Sequence, residues 1–414
     1  MEKRKKAKQE VAQCDDDKKK EALEEILNDL DAQVAKECEE ENRKKVFDNF
    51  AVFSEATGSL NTNGMWNVKK KVFPKNVSSA PTAKKAPNGQ LVTHPDQLKQ
   101  LYLDTYVHRL RHRPIKAELA GIKNLKEELF KLRIKLSKLN KRQPWSDNDL
   151  EKVLTSLKTN KSRDPHGLIN DLFKPGVIGS DLKTSLLAML NKIRENCSIP
   201  EFIEWANVTS LYKGKGDRLD LKNERGIFIV SVLRSILMKL IYNDNYETID
   251  SNMSDSNVGA RKNKNIRNHI FVVNGIIHDV LSSSKKKPID IQIMDYKQCF
   301  DSMWLEETLN DLYEAGVTDD SLALLYEANK GVNMAIKTPA GLTVRQRIEK
   351  IILQGDVFVP IECSVSVDTF GKECLADDKH LYLYKDKVKV PILAMVDDTL
   401  AVSECGYKSN MVNA

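Results

Sequence analysis

The spacing of apolar residues changes period along this chain, and that change restricts the fold more than any single motif. Ile122, Leu125, Leu129, Leu132, Leu136 and Leu139 recur alternately three and four apart with Lys, Arg and Glu between them. This is the pattern of an amphipathic helix packed on a domain, closed by Pro144 and too short in heptads for a coiled coil. In "PIDIQIMD", Ile289, Ile291 and Ile293 instead alternate with polar residues, which predicts a half-buried strand. Helical and strand periods follow one another without a regular βαβ alternation, so the expected class is α+β rather than a doubly wound sheet.

Further elements fill in this frame. Ser146 is the expected N-cap of "DNDLEKVLTSLK" and Ser180 that of "DLKTSLLAMLNKIREN". "ANVTSLYKGKGDRLD" reads as a strand running into a basic hairpin tip punctuated by glycines. "GIFIVSVLRSILMKLIY" passes from a β-branched run into a helix with Leu233, Ile236, Leu237 and Leu240 inward. Ile266, Ile270, Val273, Ile277 and Val280 mark another helix, and Leu305, Leu309 and Leu312 one that stops at Gly316. "HLYLYKDKVKVPILAMVDDTLAVS" is expected to form three strands, reversing at Lys385-Asp386 and again at Asp397-Asp398.

At 414 residues, with 41% apolar and 30% charged side chains, the chain can build two or three domains with much solvated surface. Residues 1–58, with Leu23, Leu27, Leu30 and Val34 on one stripe, are expected as a charged helical arm, and 59–115 as a basic linker. The amphipathic helix of 116–145 follows, then a globular region over 146–287 and a second over 288–414. The net charge of +6 is small, but basic runs such as "NVKKKVFPK", "YVHRLRHRPIK" and "KLRIKLSKLNKR" raise the expectation of a polyanionic partner. Seven scattered cysteines without a CxxC pair suit a reducing compartment, and His108 and His112 lack the companions of a zinc set. No apolar run approaches the ~20 residues that cross a bilayer, and with no secretion signal the expected compartment is nucleus or cytoplasm.

The chemistry concentrates in three aspartates. The phase of Ile289, Ile291 and Ile293 continues onto Asp295, and Asp397-Asp398 lie between two apolar runs with no nearby cation. If these strands pair in one sheet, three carboxylates converge at its edge. Hard divalent cations, Mg²⁺ above all, are the natural solution. Two such ions about 3.5–4 Å apart can activate a hydroxyl and stabilise a leaving phosphate. A surface turn is the plainer reading of the Asp397-Asp398 pair alone.

Six segments in order resemble the reverse transcriptase of non-LTR (LINE-type) retrotransposons over about 106–414: "NKSRDPHGLINDLF", "YKGKGDRLDLKNERGI", "NVGARKNKNIRNHIFVVNGII", "MDYKQCFDSMW", "ILQGDVFVPI" and "MVDD". The resemblance implies a right-hand polymerase, with fingers over 146–287 and a partial palm over 288–414. It implies an RNA-directed DNA polymerase that uses an RNA template, a DNA primer, deoxynucleoside triphosphates and two Mg²⁺ ions, for which Mn²⁺ can substitute. Asp295, Asp397 and Asp398 would be the catalytic metal ligands. Phe300 falls at the position of the ring that excludes a ribose 2′-OH, though it also suits a core aromatic. Gln354 and Gly355 would lie beneath the incoming nucleotide, Arg225 would grip the triphosphate, and Lys213 or Lys215 would assist.

The sequence also departs from the family pattern. Met395 stands where an aromatic is usual, and Gly226 follows the arginine in place of proline or another turn former. The sequence ends nine residues after Cys405, so thumb and primer grip are expected to be absent, as is a preceding endonuclease. The alternatives are an inactive remnant that only binds nucleic acid, and an interaction protein working through residues 1–58.

Overall fold

A computed structural model describes residues 82–110, 120–282, 289–296, 299–349, 352–376, 382–385, 388–390 and 392–404. The charged arm and the first part of the expected linker lie outside the described residues. Residues 84–110, also expected as linker, instead form a short hairpin, β1 (Lys84–Lys85) and β2 (Leu91–Val92), followed by helix α1 (Pro95–Leu110). The basic composition hid Leu98, Tyr102 and Tyr106, which are buried at helical spacing.

These three residues pack on a sheet made of β3 (Trp205–Tyr212), β4 (Glu224–Val230), β6 (Gly331–Thr338), β7 (Gly341–Leu342) and β8 (Gln346–Glu349). Its order is β4-β3-β6-β7, with β8 also paired to β6. The β3–β4 pair is the antiparallel hairpin expected from sequence, and Gly214 and Gly216 in its tip take φ of +81° and +80°. β3 and β6 run parallel, which joins segments more than a hundred residues apart.

The helices form a second core. α2 (Ala120–Leu139), α3 (Asp147–Ser156), α4 (Ser180–Asn196), α5 (Val232–Asn252), α8 (Leu305–Glu314) and α9 (Asp320–Asn329) meet around Leu150, Leu190, Ile236, Leu237 and Leu309. Each fully buried leucine or isoleucine there contributes ~1.5–3 kcal/mol. Ser146 caps α3 through a capping box with Asp149. The expected cap at Ser180 is corrected by one residue: Gly179 is the N-cap and Ser180 begins the helix. α8 ends just before Gly316, whose φ of +99° a residue with a side chain rarely adopts.

Two helical faces differ from expectation. Over residues 127–139 of α2, the part whose burial is described, the buried positions are Phe130, Ile134 and Ser137, whereas Leu129, Leu132, Leu136 and Leu139 are exposed; Ile122 and Leu125 lie outside the described side chains. On α6 (Ile266–Ser282) only Ile276 is buried, while Ile266, Ile270 and Ile277 are exposed. Periodicity marks a helix, but a broad apolar surface leaves its packed side to the partners.

The third sheet has the order β11-β12-β5, with β5 (Ile289–Asp295), β11 (Leu393–Met395) and β12 (Asp398–Glu404) all antiparallel. The segment expected as three strands is four: β9 (Leu383–Tyr384) and β10 (Val388–Lys389) form a separate hairpin. Behind the sheet, Met294, Ala401 and Ile392 pack with Phe370 of α10 (Val359–Ala376). On the other side Val402 and Leu400 join Ile276, Tyr382 and Val390. The β5 isoleucines were expected on a buried face, yet Ile293 is 78% and Ile291 41% exposed: the small core on that face packs Ile289 but does not include these two. All described elements belong to one unit, Pro81–Ala414, and their class is mixed α+β.

Candidate functional site

The β5–β12 register decides the geometry of the aspartates. Asp398 is the cross-strand partner of Asp295, followed by Thr399↔Met294 and Leu400↔Ile293. Directly opposed residues share a face, so the two carboxylates project to the same side at the strand ends, both exposed. Asp397 occupies the turn immediately before. The reversal is Val396-Asp397 between the paired Met395 and Asp398, one residue earlier than expected. Among the described residues no three His, Cys, Asp or Glu side chains are gathered into a metal-ligand set. The three aspartates are neighbours through backbone register, and carboxylate oxygens are the donor type that hard divalent cations prefer.

The hairpin turn is strained and clamped. Val396 has φ of +59°, a backbone conformation unfavourable for a β-branched residue. It is held by the segment 256–259, which runs beside β11. Ala394 N–H donates to the Ser256 carbonyl at 3.0 Å, and Val258 N–H donates to the Ala394 carbonyl at 2.9 Å. Asn257 ties this segment to α10, donating from Nδ2 to the Ser364 carbonyl at 2.7 Å while its Oδ1 accepts from Gly259 N–H. A Cβ on Gly259 would lie well inside van der Waals contact of the Val396 backbone nitrogen. Gly259 is thus the residue that lets the clamp approach the aspartate turn.

The arginine strand is built by alternation. Glu224 and Phe228 face the core and Arg225 faces solvent, with Leu211 as its cross-strand neighbour. Glu224 pairs with the fully buried Lys84 and accepts a hydrogen bond from Ser210, whose hydroxyl meets that of Tyr106 at 2.7 Å. A buried pair held by several hydrogen bonds fixes the start of β4, and so the base of Arg225. Gly226 lies within β4, where a Cβ would meet the Tyr106 ring at 2.6 Å. Glycine at this position therefore has a packing reason. Lys213 donates to the Lys222 carbonyl at 3.2 Å, and Lys215 is exposed at the hairpin tip.

Gln354 and Gly355 meet this strand directly. Phe228 N–H donates to the Gln354 carbonyl at 3.2 Å, and Gly355 takes φ of +112° with room only for hydrogen against the Phe228 carbonyl. In this structure the close backbone approach at Gly355 is to β4. Asp356, next in sequence, forms a buried ion pair with Arg234 of α5 at 2.7 Å, and Arg234 also binds the Ala328 carbonyl and Asn329. Phe300, on the short helix α7 (Cys299–Ser302), is half-buried against the helical core.

Two features carried no sequence signal. Cys299 Sγ lies 3.3 Å from Cys363 Sγ, bringing α7 to α10 near Asp397. Glu362 is fully buried, and neither carboxyl oxygen has a hydrogen-bond partner. Desolvation, reinforced by Asp356 and offset by Arg234, pushes its carboxyl up to about 8, so at neutral pH it is mostly protonated. Compared with models of known protein families, the sequence matches none.

Proposed function

We propose that this chain is an RNA-directed DNA polymerase domain of the non-LTR retrotransposon type. The observation that carries the reading is the Asp295–Asp398 register, with Asp397 beside it in the turn. Two acidic motifs that the sequence separates by a hundred positions meet at one end of one sheet. In this reading the β3–β4 hairpin and its helices are the fingers, and the β5–β12–β11 sheet backed by α10 is the palm.

Asp295, Asp397 and Asp398 would hold Mg²⁺ or Mn²⁺, which when bound supplies the charge neutralisation that phosphoryl transfer requires. Arg225, Lys213 and Lys215 provide cations for the triphosphate, and the Arg225 guanidinium can grip two phosphate oxygens at once. Gln354, which accepts a hydrogen bond from β4, and the adjoining Gly355 form the shelf for the base pair. Phe300 stands against the ribose 2′ position. RNA template, DNA primer and deoxynucleoside triphosphates are the partners this arrangement asks for.

A second reading, a remnant that binds nucleic acid without catalysis, is favoured by the absence of a gathered carboxylate trio among the described residues. Primer extension separates the two. The full chain, given an RNA template, a DNA primer, deoxynucleoside triphosphates and Mg²⁺ or Mn²⁺, should lengthen the primer, and Asp397→Ala should abolish this. Phe300→Ala should admit ribonucleotides. Salt-sensitive binding without extension supports the remnant, and no binding at all rejects both.

A further inference from the structure

We propose that Cys299 and Cys363 form a reversible redox pair, a dithiol that hydrogen peroxide converts to an intramolecular disulfide. The two sulfurs are 3.3 Å apart, and neither is in a disulfide. A disulfide places them about 2.05 Å apart, so closure needs a sulfur displacement of roughly 1 Å. They come from elements 64 positions apart in sequence, α7 and α10. Cys299 is partly exposed and Cys363 buried, which makes Cys299 the sulfur that meets oxidant and Cys363 the one that resolves it.

The chemistry balances with one equivalent of peroxide. The Cys299 sulfur attacks one peroxide oxygen, the O–O bond breaks, and a sulfenic acid and one water form. Cys363 sulfur then attacks the Cys299 sulfur; the S–O bond breaks and the oxygen leaves as a second water, carrying the thiol proton. Two thiols are oxidised, one peroxide is reduced, and a dithiol reductant reverses the step by exchange. Cytosolic disulfides that form transiently are characteristically redox-sensing.

The position gives the bond a consequence. α7 carries Phe300 next to Cys299, while α10 follows Gln354-Gly355 and is tied through Ser364 to the clamp on Val396. A covalent bond between α7 and α10 therefore restrains the surroundings of Asp397 from both sides. This inference reads thiol chemistry alone and stands apart from the polymerase reading.

The test is peptide mapping of the full chain after hydrogen peroxide, digested with trypsin without reduction. Cleavage after lysine places Cys299 in peptide 298–330, Cys363 in 351–372 and Cys374 in 373–379, so the three cysteines are distinguished. The expected product joins 298–330 to 351–372, disappears on reduction, and is lost in Cys299→Ser. In Cys363→Ala, Cys299 should stop at a sulfenic acid that a cyclic 1,3-diketone traps. Amide exchange in α7 should slow in the oxidised chain and recover with dithiothreitol. The proposal is overturned if Cys299 proceeds to sulfinic acid while Cys363 stays reduced. A cross-link to Cys374 or Cys405 instead, or no oxidation of either thiol, overturns it equally. The wild-type map decides the matter even if Cys363→Ala does not fold.

Discussion

Asp295 and Asp398 are direct cross-strand partners, two like charges facing each other at the end of the β5–β12 ladder. Opposed like charges on a sheet destabilise it by up to about 1 kcal/mol, less when water screens them. Asp295→Asn should therefore leave the metal-free chain no less stable. Mg²⁺ or Mn²⁺ should raise the thermal midpoint of the wild type by mass action, and much less in the variant. An equal rise in both, measured by calorimetry, would show that Asp295 is not a ligand.

Gly259 offers a test of the clamp on the aspartate turn. A Cβ there meets the Val396 backbone, which cannot swing away as a flexible side-chain end could. Gly259→Ala should cost on the order of 1–3 kcal/mol by overpacking. The metal-induced rise in midpoint should shrink with it, because the turn carrying Asp397 must shift. A midpoint within error of the wild type would mean that the clamp is not formed in solution.

Glu362 gives the fold a pH dependence with a definite sign. Its folded pKa of about 8 lies above the ordinary 4.5, so between these values the folded chain keeps a proton that the unfolded chain releases. The contribution is fully present below 4.5 and is lost as pH rises towards 8, by at most about 1.4 kcal/mol per pH unit. Glu362→Gln should flatten this slope in urea unfolding followed across that window. Parallel wild-type and variant slopes would place the titration elsewhere.

The Arg234–Asp356 pair predicts a large loss. Both side chains are almost wholly buried, and Arg234 also holds the end of α9. Arg234→Ala leaves an unpaired buried carboxylate and should destabilise by ~3–5 kcal/mol. Replacing both residues by leucine should recover part of that loss, as read from denaturant midpoints.

Basic residues of the β3–β4 hairpin should govern nucleic-acid affinity. Replacing Lys213, Lys215 and Arg225 together by alanine should weaken binding of a primer–template duplex and lower the salt slope by up to about three. An unchanged slope in a titration of salt would leave these cations as solvated surface.

Local chemistry made much of this fold legible in the sequence. Ser146 with Asp149, the glycines of the β3–β4 tip, the stripe Leu305–Leu309–Leu312 and the alternation of β5 each act within a few residues, so they define element type wherever the element is packed. The candidate aspartates, Arg225, and Gln354-Gly355 were legible as residue types in motifs. What only the tertiary structure decided was pairing and burial. The register of Asp295 against Asp398 could not be read from either strand alone, since a slip of one residue would turn one carboxylate to the opposite face. Phe130 and Ile134 of α2 face the core in place of its leucines because neighbouring helices meet that side. Gly226 is understood only once Tyr106 is placed, and the Cys299–Cys363 contact only once α7 meets α10. Such long-range contacts depend on how whole elements pack, and no local propensity encodes them.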